Sequence, residues 1–436
     1  MNGFGFPRNY SAHPEDSVPR RYKTISCPRA SIRMSGYSAS EGSSALESAK
    51  IGNVDLRLYA LPALAKGFSV FFFVLLPVFY AQKYIASLEV GYVGALSIAM
   101  LVCGALIVTK WLHKLATKLL LQVSAWLGLL SVGLLYLGVA SHSLPLFILA
   151  YSLSGLVVGL SMSGVNVLIA HATQKDNRFA DLARVSMVSD VMRIAFPGLV
   201  VLALYVGGIT AALSLIAFAA LLFIGITSTL PDQSPSVSAA PAIRLRYNRL
   251  FRSMLNLEFL DSFASSQLFV FLPILFLTKG YSIQNSLILQ TAIFAGYLSG
   301  RWLIGRLAKK TSGIGAVVIA ELGMIISISL LLVIDNLVLL YICTLVLGIF
   351  ARGTSPVIRA LVFDSLPNEQ IKKGSALHVV AGDTGSALGQ LSFGLLLAWL
   401  GAVAPFVASA AIAGLIILLG LRLHNPRATW RILGRS

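Results

Sequence analysis

Charged residues and cysteines are scarce in this sequence. Only 12% of its 436 residues are charged and 57% are hydrophobic, whereas about a quarter of the residues of a soluble domain are charged. This composition excludes an ordinary soluble domain and indicates an integral, polytopic helical membrane protein. The three cysteines and six histidines show no spacing typical of a disulfide framework or a metal site, and no nucleotide-binding motif is present. We therefore expect no metal, no cofactor and no enzymatic activity.

Acidic residues are half as frequent as basic ones, at 17 against 34, and the basic residues are unevenly placed. Such an excess can indicate nucleic-acid binding, but these lysines and arginines do not form one stripe with interleaved aromatics. Instead, 27 of them fall in segments that alternate with loops holding only Lys83 and Lys279. Because lysine and arginine in short loops mark the cytoplasmic side of a membrane, we predict cytoplasmic termini, an even number of spans and no nucleic-acid partner.

Long apolar stretches occur twelve times, and each reaches the roughly 20 residues that a helix needs to cross a bilayer. The predicted spans are residues 57–82, 90–112, 118–140, 144–171, 182–206, 209–230, 252–278, 284–305, 313–334, 337–362, 374–399 and 402–422. The predicted fold class is therefore all-α, with twelve transmembrane helices embedded in a lipid bilayer.

The sequence is doubled at an offset of about 190 residues. Residues 76–78 (Leu-Pro-Val) match 272–274 (Leu-Pro-Ile), and residues 110–112 (Lys-Trp-Leu) match 301–303 (Arg-Trp-Leu). Such a repeat predicts two like six-helix bundles. The predicted segments are a disordered cytoplasmic tail at 1–56, bundles at 57–230 and 252–422, a cytoplasmic linker at 231–251 and a cytoplasmic tail at 423–436. A transit peptide or a mis-assigned start codon would give the first segment the same composition.

Two parallel six-helix halves resemble the major facilitator superfamily. Residues 300–310, Gly-Arg-Trp-Leu-Ile-Gly-Arg-Leu-Ala-Lys-Lys, are similar to the cytoplasmic loop signature of that family. Gly353-Thr-Ser-Pro356 and Asp383-Thr-Gly385 resemble the region of spans 10 and 11 in its arabinose-efflux-like and drug-efflux-like branches. The resemblance covers roughly residues 57–422.

The resemblance implies a secondary transporter that moves a small organic solute by alternating access. Proton coupling, export as an antiporter, a monomeric state and location in the inner (plasma) membrane are the further expectations. Proton- or cation-coupled uptake symport is an alternative. Thr117 and Lys309 stand where the loop signature carries Asp, and Tyr151 stands where efflux members carry Arg. These departures motivate a second alternative, a sensor or assembly scaffold derived from a transporter.

Ionisable residues inside the spans are the main candidates for the site, because each costs about 2.5 to 3.5 kcal/mol to insert. Lys66 and Asp261 lie nine residues after Arg57 and Arg252, so both are about 13.5 Å from the membrane edge. We predict that Lys66 and Asp261 interact across a central cavity or jointly bind a zwitterionic substrate. Arg352 either meets a carboxylate there or awaits an anionic group of the substrate.

Asp383 is the predicted proton-coupling residue, with a polar contact to Arg352 or Asn166 as its alternative role. Asp190 and Arg193, three residues apart, are predicted to form a structural pair. The candidates for binding substrate or coupling ion are Lys66, Glu258, Asp261, Arg352, Asp383, His378, Asn166 and Gln267. The predicted cytoplasmic gate comprises Lys114, Lys118, Arg301, Arg306, Lys309, Arg359 and Asp364.

Overall fold

The computed structural model of the protein describes residues 57–111, 116–172, 178–230, 249–366 and 371–424, and no strand occurs among them. The helices are α1 Arg57–Ala81, α2 Ser87–Trp111, α3 Thr117–Ser141, α4 Leu144–Ala172, α5 Arg178–Ser228, α6 Arg249–Ser265, α7 Gln267–Thr278, α8 Ile283–Lys310, α9 Gly313–Val333, α10 Leu337–Gly353, α11 Ser355–Asp364, α12 Ile371–Leu400 and α13 Ala404–His424. The predicted all-α fold is confirmed, whereas Lys114, the predicted tail at 1–56 and residues 425–436 of the other predicted tail lie outside the described ranges.

Ten helical segments in the described ranges are long and apolar enough to cross a membrane. One of them, in α5, is broken where Gly207 (φ −151°, ψ 23°) and Gly208 (φ 64°, ψ −154°) leave the helical conformation. Glycine tolerates the positive φ that other residues avoid. The break falls between the fifth and sixth predicted spans. Helix α12 corresponds to the eleventh predicted span but is not among the ten segments. The count of twelve spans stays a prediction.

Polar side chains mark the start of several helices. Ser282 accepts a hydrogen bond from the backbone N–H of Asn285, Ser312 accepts one from Gly315, and Asn336 does the same for the first turn of α10. A side-chain oxygen at this position satisfies backbone donors that have no partner within the helix. These caps define where α8, α9 and α10 begin.

Two membrane-length segments are bent by a short interruption. Ser266 separates α6 from α7, and Thr354 separates α10 from α11. Pro356 follows the second interruption, and it favours a new helix start there because proline has no N–H to donate and a fixed φ. Ser266 and Thr354 keep helical φ and ψ angles, and both are 0% exposed. Both interruptions therefore belong to the protein interior.

Three principal sets of contacts join the helices before residue 230 to those after residue 249, and α1 also contacts α8. Helix α2 packs on α12, α5 packs on α8, and α1 packs on α7. At the first contact, a Cβ placed on Gly91 would lie 2.5 Å from the Cα of Gly394, closer than any side chain allows. At the third, the rings of Phe73 and Phe269 lie 6.2 Å apart. The two groups of helices, called here the first and second halves, thus meet along an interior interface.

Candidate functional site

One face of α1 is directed at the second half. Lys66 and Phe73 are seven residues apart and therefore share a helical face, and both are half-buried whereas Leu75 and Leu76 are buried. Since the Phe73 ring packs near Phe269 of α7, Lys66 lies two turns earlier on the same side. Lys66 is thus placed at the interface between the halves.

A cluster of charges connects α5 to α8. The Arg193 guanidinium lies 3.6 Å from a carboxylate oxygen of Asp190 on the same helix. The guanidinium of Arg301, on α8, forms a salt bridge with the other oxygen of this carboxylate. The predicted local pair therefore has a third member, and that member comes from the second half. Lys66 is within electrostatic range of the whole cluster.

Arg352, at the end of α10, lies on the opposite side of the interface. Its guanidinium donates hydrogen bonds to the hydroxyls of Ser262 (3.2 Å) and Ser386 (3.5 Å) and lies 5.8 Å from the centroid of the Phe269 ring. No described carboxylate lies within 4.0 Å of it. Asp383, on α12, is within electrostatic range of both Arg352 and Lys66. A carboxylate of the second half thus interacts electrostatically with one cation from each half.

Two buried carboxyl groups meet next to the bend in α10–α11. Asp261 is 0% exposed and Glu321 is 1% exposed, and their carboxyl groups are close enough to interact directly. The Thr354 hydroxyl, at the bend itself, donates a 3.0 Å hydrogen bond to Asp261. We did not predict Glu321 from the sequence. The signal was present, because Glu321 is the only charged residue in the predicted span 313–334.

No salt bridge joins Lys66 to Asp261 in the described part of the chain. The neighbours of Asp261 are Glu321, Thr354 and Arg352, whereas those of Lys66 are the α5–α8 cluster and Asp383. The direct pair predicted from equal depth is therefore not formed in this conformation. Equal distance along two helices does not determine which way each side chain faces.

Glu258 is buried one turn before Asp261. It accepts a 3.3 Å hydrogen bond from Ser262, and its Oε1 lies 3.6 Å from Nδ1 of His378 on α12. His378 therefore neighbours Glu258, a pairing that the sequence analysis did not predict. The second oxygen of Glu258 has no hydrogen-bond partner among the described residues.

Several predicted residues lie apart from these groups. The Gln267 amide donates a 2.7 Å hydrogen bond to Ser409 inside the second half, so it joins α7 to α13. Asn166 is exposed, and Arg306 lies over the ring of Trp302. Among the residues of the predicted gate, Arg301 contacts the first half through Asp190. The side chains of Lys309, Arg359 and Asp364 are exposed and have no salt bridge with another described residue. Lys118 lies, half-buried, in the first turn of α3.

Some buried polar atoms around the interface have no partner among the described residues. They include the hydroxyl of Tyr297 and the amide oxygens of Gln290 and Gln390. Tyr297 on α8 is within electrostatic range of Arg193 and Arg352, so its hydroxyl lies between cations of the two halves. Buried polar groups without a partner are costly, and an incoming solute can satisfy this one.

An open cavity of about 700 Å³ lies elsewhere, at the carboxyl-terminal ends of α1 and α7. Tyr80, Tyr84, Glu89 and Thr278 contribute to its lining. None of the interior charged residues borders it, so we regard the cavity as an approach to the interface rather than the site itself. No group of three or more His, Cys, Asp or Glu side chains able to hold a metal occurs in the described ranges.

Several solved structures of transporters have a similar arrangement of helices. The nucleoside transporter NupG aligns with 85% of this chain and 98% of its own, at 13% identity and a TM-score of 0.69. A D-xylose–proton symporter aligns over 84% and 95%, at 18% identity and a TM-score of 0.68. A bacterial homologue of the human lysosomal transporter Spinster, inward-facing and unoccupied, aligns over 84% and 96%, at 13% identity and a TM-score of 0.67. At such identities the likeness shows the fold alone.

The family is shown by the sequence itself. No curated protein matches the chain, but the family model described as Major Facilitator Superfamily matches residues 59–337 and 259–435. Together these matches cover nearly all of the helical region, including every interior charge described above. The resemblance inferred from the loop signature and the doubled sequence is confirmed, and the chain belongs to the Major Facilitator Superfamily.

Proposed function

We propose that this secondary transporter is a proton-coupled exporter of a small organic solute. The observation that carries the coupling is the contact between the Asp261 and Glu321 carboxyl groups, both shielded from water. Two ionised carboxylates at hydrogen-bonding distance in such a site repel each other strongly, so the pair is most stable when it holds one proton. Loss of that proton would drive the two groups apart.

The surroundings of the carboxyl pair link its protonation to the shape of the second half. Thr354 binds Asp261 from the bend between α10 and α11, and Arg352 precedes that bend by two residues. The other titratable groups facing the pair are Tyr297 on α8 and Glu258 on α6, the latter beside His378 on α12. Separation of the carboxyl groups would therefore move the bend and Arg352 with it.

Alternating access requires that contacts between the halves break on one side at a time. The close approach of Gly91 to Gly394 holds α2 against α12, while the salt bridge from Asp190 to Arg301 holds α5 against α8. Under the predicted topology these contacts lie towards opposite faces of the membrane. We propose that they are the two gates. The predicted gate residues would then help to set the orientation of the protein in the membrane rather than close the gap between the halves. These residues are Lys309, Arg359 and Asp364.

Export is proposed because the segments around spans 10 and 11 resemble efflux branches. Uptake symport uses the same carboxyl pair, and the two directions differ only in how proton and solute movements are paired. The inner (plasma) membrane and a monomeric carrier remain part of the proposal. The scaffold alternative is retained as an outcome of the experiment, since Thr117 and Lys309 depart from the loop signature.

The proposal is tested in proteoliposomes that contain a pH-sensitive dye and are given an imposed pH gradient. Wild type should move protons when a solute from a broad metabolite panel is added, and Asp261→Asn should not. Asp335→Asn is the matched control, because Asp335 is a surface carboxylate paired with Lys279, and it should behave as wild type.

Opposite movement of proton and solute would support export, and parallel movement would support uptake. Unchanged proton flux in Asp261→Asn would place the coupling elsewhere. A complete lack of solute-dependent flux in the wild type would favour the scaffold.

A further inference from the structure

The cations that face the interface between the halves outnumber the carboxylates that face it. The cations are Lys66, Arg193, Arg301 and Arg352, and the carboxylates are Asp190 and Asp383. The remaining acidic groups of this region are almost fully buried within the second half. The interface therefore has an excess of positive charge.

Two of these cations have no salt bridge. Asp190 forms salt bridges with both Arg193 and Arg301. In contrast, no described carboxylate lies within 4.0 Å of Lys66 or Arg352. The carboxylate of Asp383 interacts electrostatically with both Lys66 and Arg352. Cations held away from water without a close partner are unfavourable unless an anion compensates them. The positive charge of Lys66 and Arg352 is therefore not fully compensated, and a further anion would be favourable here.

The groups around Lys66 and Arg352 indicate the rest of the ligand. The Arg352 guanidinium lies 5.8 Å from the Phe269 ring centroid, and the Phe269 ring lies 6.2 Å from that of Phe73 and 6.2 Å from that of Tyr297. The Tyr297 side chain is only 4% exposed, yet its hydroxyl has no partner in the described residues. The Phe269 ring thus lies beside Arg352 and near two further aromatic rings, one of which carries a hydroxyl without a described partner.

From these contacts we infer that the interface binds a small organic carboxylate with an apolar or aromatic body. The carboxylate lies between Lys66 of the first half and Arg352 of the second, and Tyr297 donates a hydrogen bond to it. The rings of Phe73 and Phe269 contact the body of the ligand. This inference rests on the proposed transport function and specifies its substrate class.

Asp383 has a distinct part in this arrangement. Its carboxylate interacts electrostatically with both cations, so it competes with the substrate for them. Neutralising Asp383 should therefore strengthen anion binding, whereas a residue with a merely structural role would weaken binding or leave it unchanged. Binding a ligand through one cation from each half also favours a conformation in which the halves are closer together.

The test measures thermal stabilisation of the purified full-length protein by charge-matched probes. Benzoate and phenylacetate should raise the unfolding temperature, whereas benzamide, phenylacetamide and benzylamine should not. Lys66→Gln and Arg352→Gln should each weaken binding of the acids by roughly tenfold or more, the usual effect of removing one member of a buried charge pair. Asp383→Asn should tighten it by about threefold or more.

Two further variants guard against misfolding as an explanation. Lys66→Arg keeps the charge and should retain binding. Arg422→Gln, at the exposed end of α13, should match wild type. Equal stabilisation by acids and amides, no stabilisation by any acid, or weaker acid binding in Asp383→Asn would overturn the inference.

The outcome is separable from that of the proposed function. Proton-coupled movement of neutral or cationic solutes alone, in the flux experiment above, would overturn the anion site while leaving proton-coupled transport intact. Acid binding that depends on Lys66 and Arg352, without any solute-dependent proton movement, would support the anion site and contradict the coupling.

Discussion

The two halves of the transporter carry their interior charges in different ways. In the described part of the first half, Lys66, Asp190 and Arg193 all lie at the interface. In the second half, Asp261 and Glu321 are enclosed next to each other, beside the interruption between α10 and α11. The difference teaches that the two halves of a repeated sequence need not carry equivalent charged residues or have equivalent roles. We propose that the first half offers charges to a ligand and that the second half also contains a proton-dependent hinge.

The largest expected effect comes from the carboxyl pair. Glu321→Gln should reduce solute-dependent proton flux on the order of a hundredfold, the scale of loss when a proton-transfer group is removed. Asp190→Asn, in the first half, should retain proton coupling because Asp190 does not contact the pair. Both variants are assayed in the same dye-loaded proteoliposomes. Similar losses in the two variants would abolish the distinction between the halves.

The second prediction concerns the close contact between the halves. Gly91→Ala should destabilise the closed arrangement by about 3 kcal/mol, which is near the upper end of the usual free-energy cost of overpacking. The reason is that the added Cβ would lie 2.5 Å from the Cα of Gly394. Gly133→Ala is the control because nothing lies within 4 Å of a Cβ there. The distance between spin labels on α2 and α12 reports the effect. An unchanged distance in Gly91→Ala would mean that this contact is not a gate.

The third prediction concerns the bend in α10–α11. Thr354→Val keeps the shape of the side chain but removes the hydroxyl that donates to Asp261. We expect a loss of about 2 kcal/mol in stability, because a hydrogen bond to an ionisable group is lost in the interior. Thr354→Ser retains the donor and should lose less. Thermal unfolding measures both, and equal losses would show that packing rather than the hydrogen bond matters.

The smallest effect is expected from the partly exposed salt bridge. Arg301→Gln should weaken the closure of α5 on α8 by about 1 kcal/mol, typical of an ion pair near a surface. The charge exchange Asp190→Arg with Arg301→Asp should recover part of that loss. Accessibility of a cysteine introduced beside the bridge provides the measurement. Equal accessibility in wild type and Arg301→Gln would remove this bridge from the gating proposal.

Much of the fold was predictable, because composition and periodicity act over long stretches. The apolar runs and the two halves' similar motifs led to an all-α membrane protein of this superfamily, and the family match confirms it. Even the separation of the fifth and sixth spans coincides with the break at Gly207 and Gly208. Such features depend on many residues at once, so no single side-chain contact can reverse them.

The site was predictable only in part. The rule that ionisable residues are expensive in membranes identified Lys66, Arg352 and Asp383, yet the same rule was not applied to Glu321. Pairings were harder still. Asp190 was expected to bind only its own helix, and His378 was not expected beside Glu258. A pairing depends on how two helices rotate and where they bend, and neither property is encoded in the spacing along one helix.

By itself, the sequence determined that this protein is a helical membrane transporter, because the cost of placing polar groups in lipid constrains every span. Only the tertiary structure decided which interior charges meet. It put Asp261 beside Glu321 and, among the residues that the structure describes, left Lys66 and Arg352 without a salt bridge. The physical reason is the difference in range, since hydrophobic burial sums over whole helices whereas a hydrogen bond or salt bridge requires two atoms within a few ångströms.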